Sequence, residues 1–236
     1  MNRIFVLLFV FSIILNPVHA AGKTDSNENV IKKIKTLSFN SFKGIDIGEN
    51  TQPGMAKIEN NELVVNASGA DIWGTHDEGH FEYRKFKGDF DVRVQVIGLF
   101  KAHLYTKAGL MARASLDDDS RHVYFQVFPD NDERNNNKGG CEFQYRAEKG
   151  GEMKAIYPNP ETAGSKFDVN FPNTWIRLKR EGNVFTSYIS DDNKSWHLYS
   201  TWEQQMPAKL FVGMAVTSHD ASNYTTARFA SFLIAK

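Results

Sequence analysis

From Glu62 onward the chain alternates apolar and polar positions in short runs divided by turn residues. The runs are Glu62–Ser68, His80–Phe86, Asp89–Phe100, Lys107–Ala114, His122–Phe128, Cys141–Ala147, Thr174–Glu181, Val184–Ser190, Trp196–Trp202, Leu210–Ser218 and Tyr224–Ile234. A period of two marks strands with one buried face, and no stretch sustains the longer period of an amphipathic helix. The prediction is therefore an all-β chain. Lys87-Gly88-Asp89, Glu181-Gly182-Asn183 and Asp191-Asp192-Asn193 supply residues that tolerate the positive φ of hairpin turns, so the strands are expected to pair antiparallel. Two longer connections, Pro129–Gly140 and Tyr157–Pro172, read as surface loops at the rim of a site.

The central runs say most about function. In Lys107–Arg113 the residues Ala108, Leu110 and Ala112 face one way, and Lys107, Met111 and Arg113 the other. Val123, Phe125 and Val127 oppose His122, Tyr124 and Gln126, and Phe143 and Tyr145 oppose Glu142, Gln144 and Arg146. Three strands with one polar face each predict a sheet packed on one side only. Laid side by side, they merge Lys107, Arg113, His122, Tyr124, Gln126, Glu142, Gln144 and Arg146 into one surface. The basic residues Lys107, Arg113 and Arg146 outnumber Glu142 there, and an arginine fork can engage a carboxylate or sulfate with two hydrogen bonds. Gln126, Gln144 and Tyr124 suit sugar hydroxyls, with Trp73 and His219 contributing from the rims. The surface reads either as a site for a polysaccharide or anionic glycan, or as a solvated face of cross-strand Arg/Glu pairs.

The amino terminus changes the setting. Asn2 and Arg3 precede the apolar run Ile4–Leu15, and Pro17 breaks it ahead of Val18-His19-Ala20. This is the pattern of a secretory signal over residues 1–20, and the run falls short of the roughly 20 residues that span a bilayer. The mature chain is expected to be secreted or periplasmic, without a membrane attachment. Residues 21–36 are polar, with Lys32, Lys33 and Lys35, and read as a linker; residues 37–236 read as one β-sandwich domain. Cys141 is the only cysteine, so no internal disulfide forms and the core must hold the exported fold. Sharing a face with Phe143 and Tyr145, it reads as a buried structural thiol rather than a nucleophile. With 28 Lys+Arg against 28 Asp+Glu, the charge balance gives no reason to expect nucleic acid as a partner. A hydrophobic share of 41% and an aromatic share of 13% exclude a disordered chain, and a monomer is expected.

Asp71-Ile72-Trp73-Gly74, His80-Phe81, Gly88-Asp89-Phe90, Lys107-Ala108-Gly109-Leu110-Met111-Ala112-Arg113, Phe143-Gln144-Tyr145-Arg146, Trp175-Ile176-Arg177-Leu178 and Gly213-Met214-Ala215-Val216-Thr217-Ser218-His219 together resemble one family. It is the concanavalin A-like, laminin-G-like jelly-roll group that includes the regulation-of-enolase proteins and the carboxy-terminal sandwiches of some bacterial xylosidases. The resemblance covers about residues 37–233. It implies a two-sheet antiparallel β-sandwich with a concave ligand face, and a family mostly without assigned activity. The enolase-regulating role of one branch fits badly with an exported chain.

Catalytic signatures are sparse. Related glucanases carry a Glu-x-Asp-x-x-Glu strand, which this chain lacks; Glu82 with Glu142 is an alternative carboxylate pair. His76-Asp77-Glu78-Gly79-His80 lacks the glutamate directly after the first histidine that a zincin helix needs. Asp117-Asp118-Asp119 and Asp130-Asn131-Asp132 read either as ordinary acidic turns or as a structural calcium site, the one cofactor expected, if any. No phosphate loop and no Gly-x-Ser-x-Gly elbow occurs. Trp175, Trp196 and Trp202 read as core or as sugar platforms, and Trp73, beside the His-rich loop, is the best platform. The expectation is a non-catalytic carbohydrate-binding module, against two alternatives: a glycan hydrolase or lyase using Arg113, His122, Tyr124 and Glu142, and a structural envelope domain.

Overall fold

The computed structural model describes residues 33–134, 137, 139–158 and 167–235. The signal segment 1–20 and most of the linker lie outside the described residues. Within them, seventeen strands form two large antiparallel sheets and one small ribbon. The first sheet runs β15 (His197–Glu203), β14 (Val184–Ser190), β13 (Thr174–Glu181), β8 (Phe90–Leu99), β17 (Thr225–Ala235), β4 (Glu62–Ala67) and β3 (Met55–Glu59), with β1 (Ile34–Thr36) also on β17. The second runs β12 (Lys154–Ile156), β11 (Cys141–Arg146), β10 (His122–Val127), β9 (Lys107–Arg113), β16 (Lys209–Thr217), β7 (Gly79–Lys87) and β2 (Lys43–Ile47). The ribbon pairs β5 (Ile72–Trp73) with β6 (His76–Asp77).

The inner faces hold the apolar half of each alternating run. Val92, Val94, Val96, Ile176, Leu178 and Phe229 from the first sheet join Leu110, Val123, Phe125, Phe143, Val212 and Met214 from the second, all fully buried in one cluster. Each such side chain contributes about 1.5–3 kcal/mol relative to an exposed one. Cys141 lies in the same core, where burial pushes its thiol pKa up and keeps it unreactive.

Two expectations need correction. Ile34–Thr36, read as linker, pairs in register with Leu233–Ala235 as β1. More consequentially, the second sheet is not packed on one side only. The β5–β6 ribbon crosses its outer face, turning at Gly74, whose φ of 59° fits the first central position of a two-residue hairpin. Backbone bonds from Asp77 N to Asp118 O (3.0 Å) and from Met153 N to Gly74 O (2.9 Å) fasten it to neighbouring loops. Beneath it Ile72 packs with Ile47, Phe81, Met111, Tyr124 and Ala215 in a second buried cluster.

Candidate functional site

Register brings the eight strand residues together as their alternation demands. Arg113, His122 and Arg146 form one row across β9, β10 and β11; Met111, Tyr124 and Gln144 form the next; Gly109, Gln126 and Glu142 the third. Lys107 lies beyond Gly109 on β9, opposite Thr217 of β16.

The first row is a buried ion cluster rather than an exposed arginine fork. Arg113, His122 and Arg146 are all 0 % exposed, as is Asp77, which the ribbon lowers between them. Arg146 donates Nη1 to Asp77 Oδ2 at 2.9 Å and Nη2 to Oδ1 at 2.8 Å, and Arg113 Nη1 reaches Oδ2 at 3.1 Å. The remaining guanidinium protons bind backbone carbonyls: Gly74 and Gly151 for Arg146, Ser115 and Asp117 for Arg113. Burial lowers the His122 pKa to about 4, with Asp77 opposing the shift. The ring is neutral near pH 7, and its Nδ1–H donates to Ser120 O at 3.0 Å. Tyr124 is buried too, its hydroxyl donating to Ala215 O at 2.9 Å. These four residues are therefore removed from the ligand surface the alternation suggested, because two buried arginines and one covering aspartate satisfy each other.

The other rows open into a pocket. A cavity of about 200 Å³ is lined by Asp71, Trp73, Tyr105, Lys107, Glu142, Gln144, Tyr157 and His219. Lys107 Nζ donates to Asp71 Oδ1 at 2.6 Å and to Ile72 O at 3.3 Å. Burial would raise the Asp71 pKa, but Lys107 and His219 hold it below the usual carboxylate value. His219 Nε2 lies 3.2 Å from Asp71 Oδ2 and its ring stacks on His103 at 4.4 Å, with Tyr105 beside it at 5.4 Å. Burial raises the Glu142 pKa, against Lys107 and the donors that surround the carboxylate. Those donors are Gln144 Nε2, Gln126 Nε2 at 3.3 Å and the Tyr157 hydroxyl, whose own pKa is pushed up by burial and by Glu142. Gln126 is buried behind Glu142 and supports it from below.

Trp73 closes one side at 39 % exposure, with Lys107 Nζ 5.5 Å from its ring centroid. Beyond it lies a larger, open cavity of about 610 Å³ that shares Asp71, Trp73 and His219 and adds Glu49, His76, Glu78 and Asp118. The two form one cleft with Trp73 at its waist.

Residues 50–236 match the family described as "Protein of unknown function (DUF1349)". The chain belongs to this family. The family description carries no enolase-associated label. No curated protein matches the chain. Among solved structures, a functionally unknown protein from Saccharomyces cerevisiae is similar over 85 % of this chain and 99 % of its own, at 17 % identity and a TM-score of 0.61. The carbohydrate binding module CBM66 from Bacillus subtilis matches over 80 % of this chain and 94 % of its own, at 14 % identity and a TM-score of 0.51. The chain spans 34 % of the GH43 protein BlXynB from Bacillus licheniformis, at 12 % identity and a TM-score of 0.55. At these identities the likeness is one of fold: a concanavalin A-like jelly-roll sandwich.

The DUF1349 sandwich separates the alternative carboxylate pair. Glu82 (β7) and Glu142 (β11) are four strands apart, about 19 Å at the usual strand spacing, too far for a glycosidase pair. Glu82 instead pairs with His80 Nε2 at 3.0 Å, whose Nδ1 meets Asp46 at 2.7 Å. Lys149 bridges Asp117 and Asp119, and Lys101 bridges Asp130 and Asp132. Among the described residues no group of three metal-binding side chains gathers. Asp71, Asp77, Tyr105 and Tyr157 were not among the predicted site residues. Asp71 and Asp77 lie in the two motifs on either side of Trp73's turn, Asp71-Ile72-Trp73-Gly74 and His76-Asp77-Glu78-Gly79-His80, and Tyr157 opens a connection read as the rim of a site, whereas Tyr105 sits on an aperiodic connection that gives no signal.

Proposed function

We propose that this chain is an exported, non-catalytic carbohydrate-binding sandwich that seats a neutral sugar ring in the Trp73 cleft. The observation that carries this reading is an exposed indole beside a pocket whose walls present Asp71, Lys107, Glu142 and Gln144. An aromatic face stacks on the C–H face of a sugar while the polar groups order its hydroxyls. The carbohydrate-binding neighbour and the signal pattern of residues 1–20 support it. Charge argues for a neutral ligand. The Arg113 and Arg146 forks face Asp77, and Lys107 and Asp71 neutralise each other, leaving Glu142 as the carboxylate that would repel an acidic sugar. Asp71 and Glu142 are both held by donors, which suits recognition better than turnover.

A glycan array followed by calorimetry tests this. Neutral glycans should bind with micromolar to millimolar Kd, about −8 to −4 kcal/mol. Trp73→Ala should weaken binding about tenfold, the loss of roughly one aromatic contact. Absence of any neutral-glycan binding, or an unaffected Trp73→Ala variant, contradicts the proposal.

A further inference from the structure

The outer face of the first sheet carries an arginine pair with unequal partners. Arg93 on β8 and Arg177 on β13 stand opposite each other in register, on the face away from the buried Val92, Val94, Ile176 and Leu178. Like charges placed so repel. Arg177 is neutralised, donating Nε to Asp91 Oδ1 at 2.7 Å and Nη2 to Oδ2 at 2.5 Å. Arg93 has no carboxylate at ion-pair distance among the described residues: its Nη1 reaches Asn193 Oδ1 at 3.4 Å, and its Nε has no partner. Burial and the charge of Arg177 lower the Arg93 pKa, outweighing Asp91. A positive charge is left without compensation.

The adjoining loop is built to cover this pair. Asp192 Oδ1 accepts the backbone N–H groups of Lys194 (2.8 Å) and Ser195 (2.7 Å), and Asn193 takes a φ of 57°. The chain thereby turns back and lays the half-buried Trp196 over both guanidinium groups, 5.2 Å from Arg93 and 5.7 Å from Arg177. Tyr188 flanks Arg177 at 4.9 Å.

We propose that Arg93, Arg177 and Trp196 form a second binding site, for an anionic glycan, with Arg93 receiving its carboxylate or sulfate. A planar guanidinium matches either group, and the indole offers the sugar ring an apolar edge. The acidic-sugar chemistry that the sequence suggests for Arg113 and Arg146 is thus relocated to the opposite sheet, where the arginines are half-buried beside Trp196 rather than sealed in. This site is independent of the Trp73 cleft.

Calorimetry on the protein with oligogalacturonate, sulfated dextran, unmodified dextran and polyglutamate tests it. Oligogalacturonate or sulfated dextran should bind about tenfold more tightly than dextran or polyglutamate, and more weakly as salt rises. Which of the two wins identifies the anion. Arg93→Gln and Trp196→Ala should each lose about tenfold, and Arg93→Lys should restore only part of the loss. Neutral-glycan binding at the Trp73 cleft should be unchanged in Arg93→Gln. Circular dichroism confirms that each variant is folded, and the conservative Arg93→Lys keeps the comparison usable if another is not. Equal binding of polyglutamate, no binding of either anionic glycan, or an unaffected Arg93→Gln variant overturns the proposal.

Discussion

Replacing Arg146 with alanine separates a buried ion cluster from a solvated surface arginine. If Arg146 stood on an open face, its loss would cost little beyond a surface salt bridge, about 0–1 kcal/mol. In the structure it is 0 % exposed and holds both oxygens of Asp77, together with the carbonyls of Gly74 and Gly151. Removing it leaves Asp77 with Arg113 alone and leaves those carbonyls without this donor, a loss of about 3–5 kcal/mol. For a domain of this size each kcal/mol lowers Tm by about 2–4 °C, so Arg146→Ala should fall by about 6–20 °C. Asp77→Ala should be worse, because it strands two like charges in a space that excludes water. Thermal and urea unfolding followed by circular dichroism provide both numbers. A change below about 2 °C in Arg146→Ala would refute the buried-cluster account, since only a screened surface charge behaves that way.

Two pH experiments follow from buried histidines. His122 has a folded-state pKa depressed from 6.5 to about 4. The stability it contributes is complete above pH 6.5 and is lost as pH falls toward 4, about 3 kcal/mol in all. His122→Gln should flatten that acid limb. Glu142, with its raised pKa, acts in the opposite sense and gains on acidification, so the comparison is the variant minus wild type; identical limbs would contradict the assignment. His80 has its pKa raised by Glu82 and Asp46 against burial, so its contribution is present below pH 6.5 and lost as pH rises through the folded value. His80→Gln should therefore destabilise more at pH 6 than at pH 9, as urea midpoints will show, and a pH-independent cost would count against the pairing.

Most of the sandwich was legible in the sequence. The runs from Glu62 to Ile234 coincide with β4, β7–β11 and β13–β17 because each buries one face and alternates accordingly. Among the missed strands β2 alternates, with Ile45 and Ile47 toward the second cluster, but over only five residues; the others lack that signal. All five residues of β3 are exposed, β12 has three residues, and the ribbon pairs only two residues with two. The polar residues of β9, β10 and β11 were grouped correctly, but grouping did not reveal burial. Polarity was read as exposure, and the ribbon that carries Asp77 overrides it. One clue was available: two arginines and a histidine on one face call for a buried acid, and Asp77 sits within the motif beside Trp73. Tyr157 reaches the pocket from a connection the sequence marks as a site rim, whereas Tyr105 comes from a short connection without periodicity, and only the tertiary structure brings it in.

The most direct test of the central claim is a crystal structure of the protein soaked with the tightest neutral glycan from the array. The account predicts one sugar ring stacked on Trp73, with hydroxyls hydrogen-bonded among Asp71, Lys107, Glu142 and Gln144. A sugar bound elsewhere, with the Trp73 cleft holding only water, would contradict it.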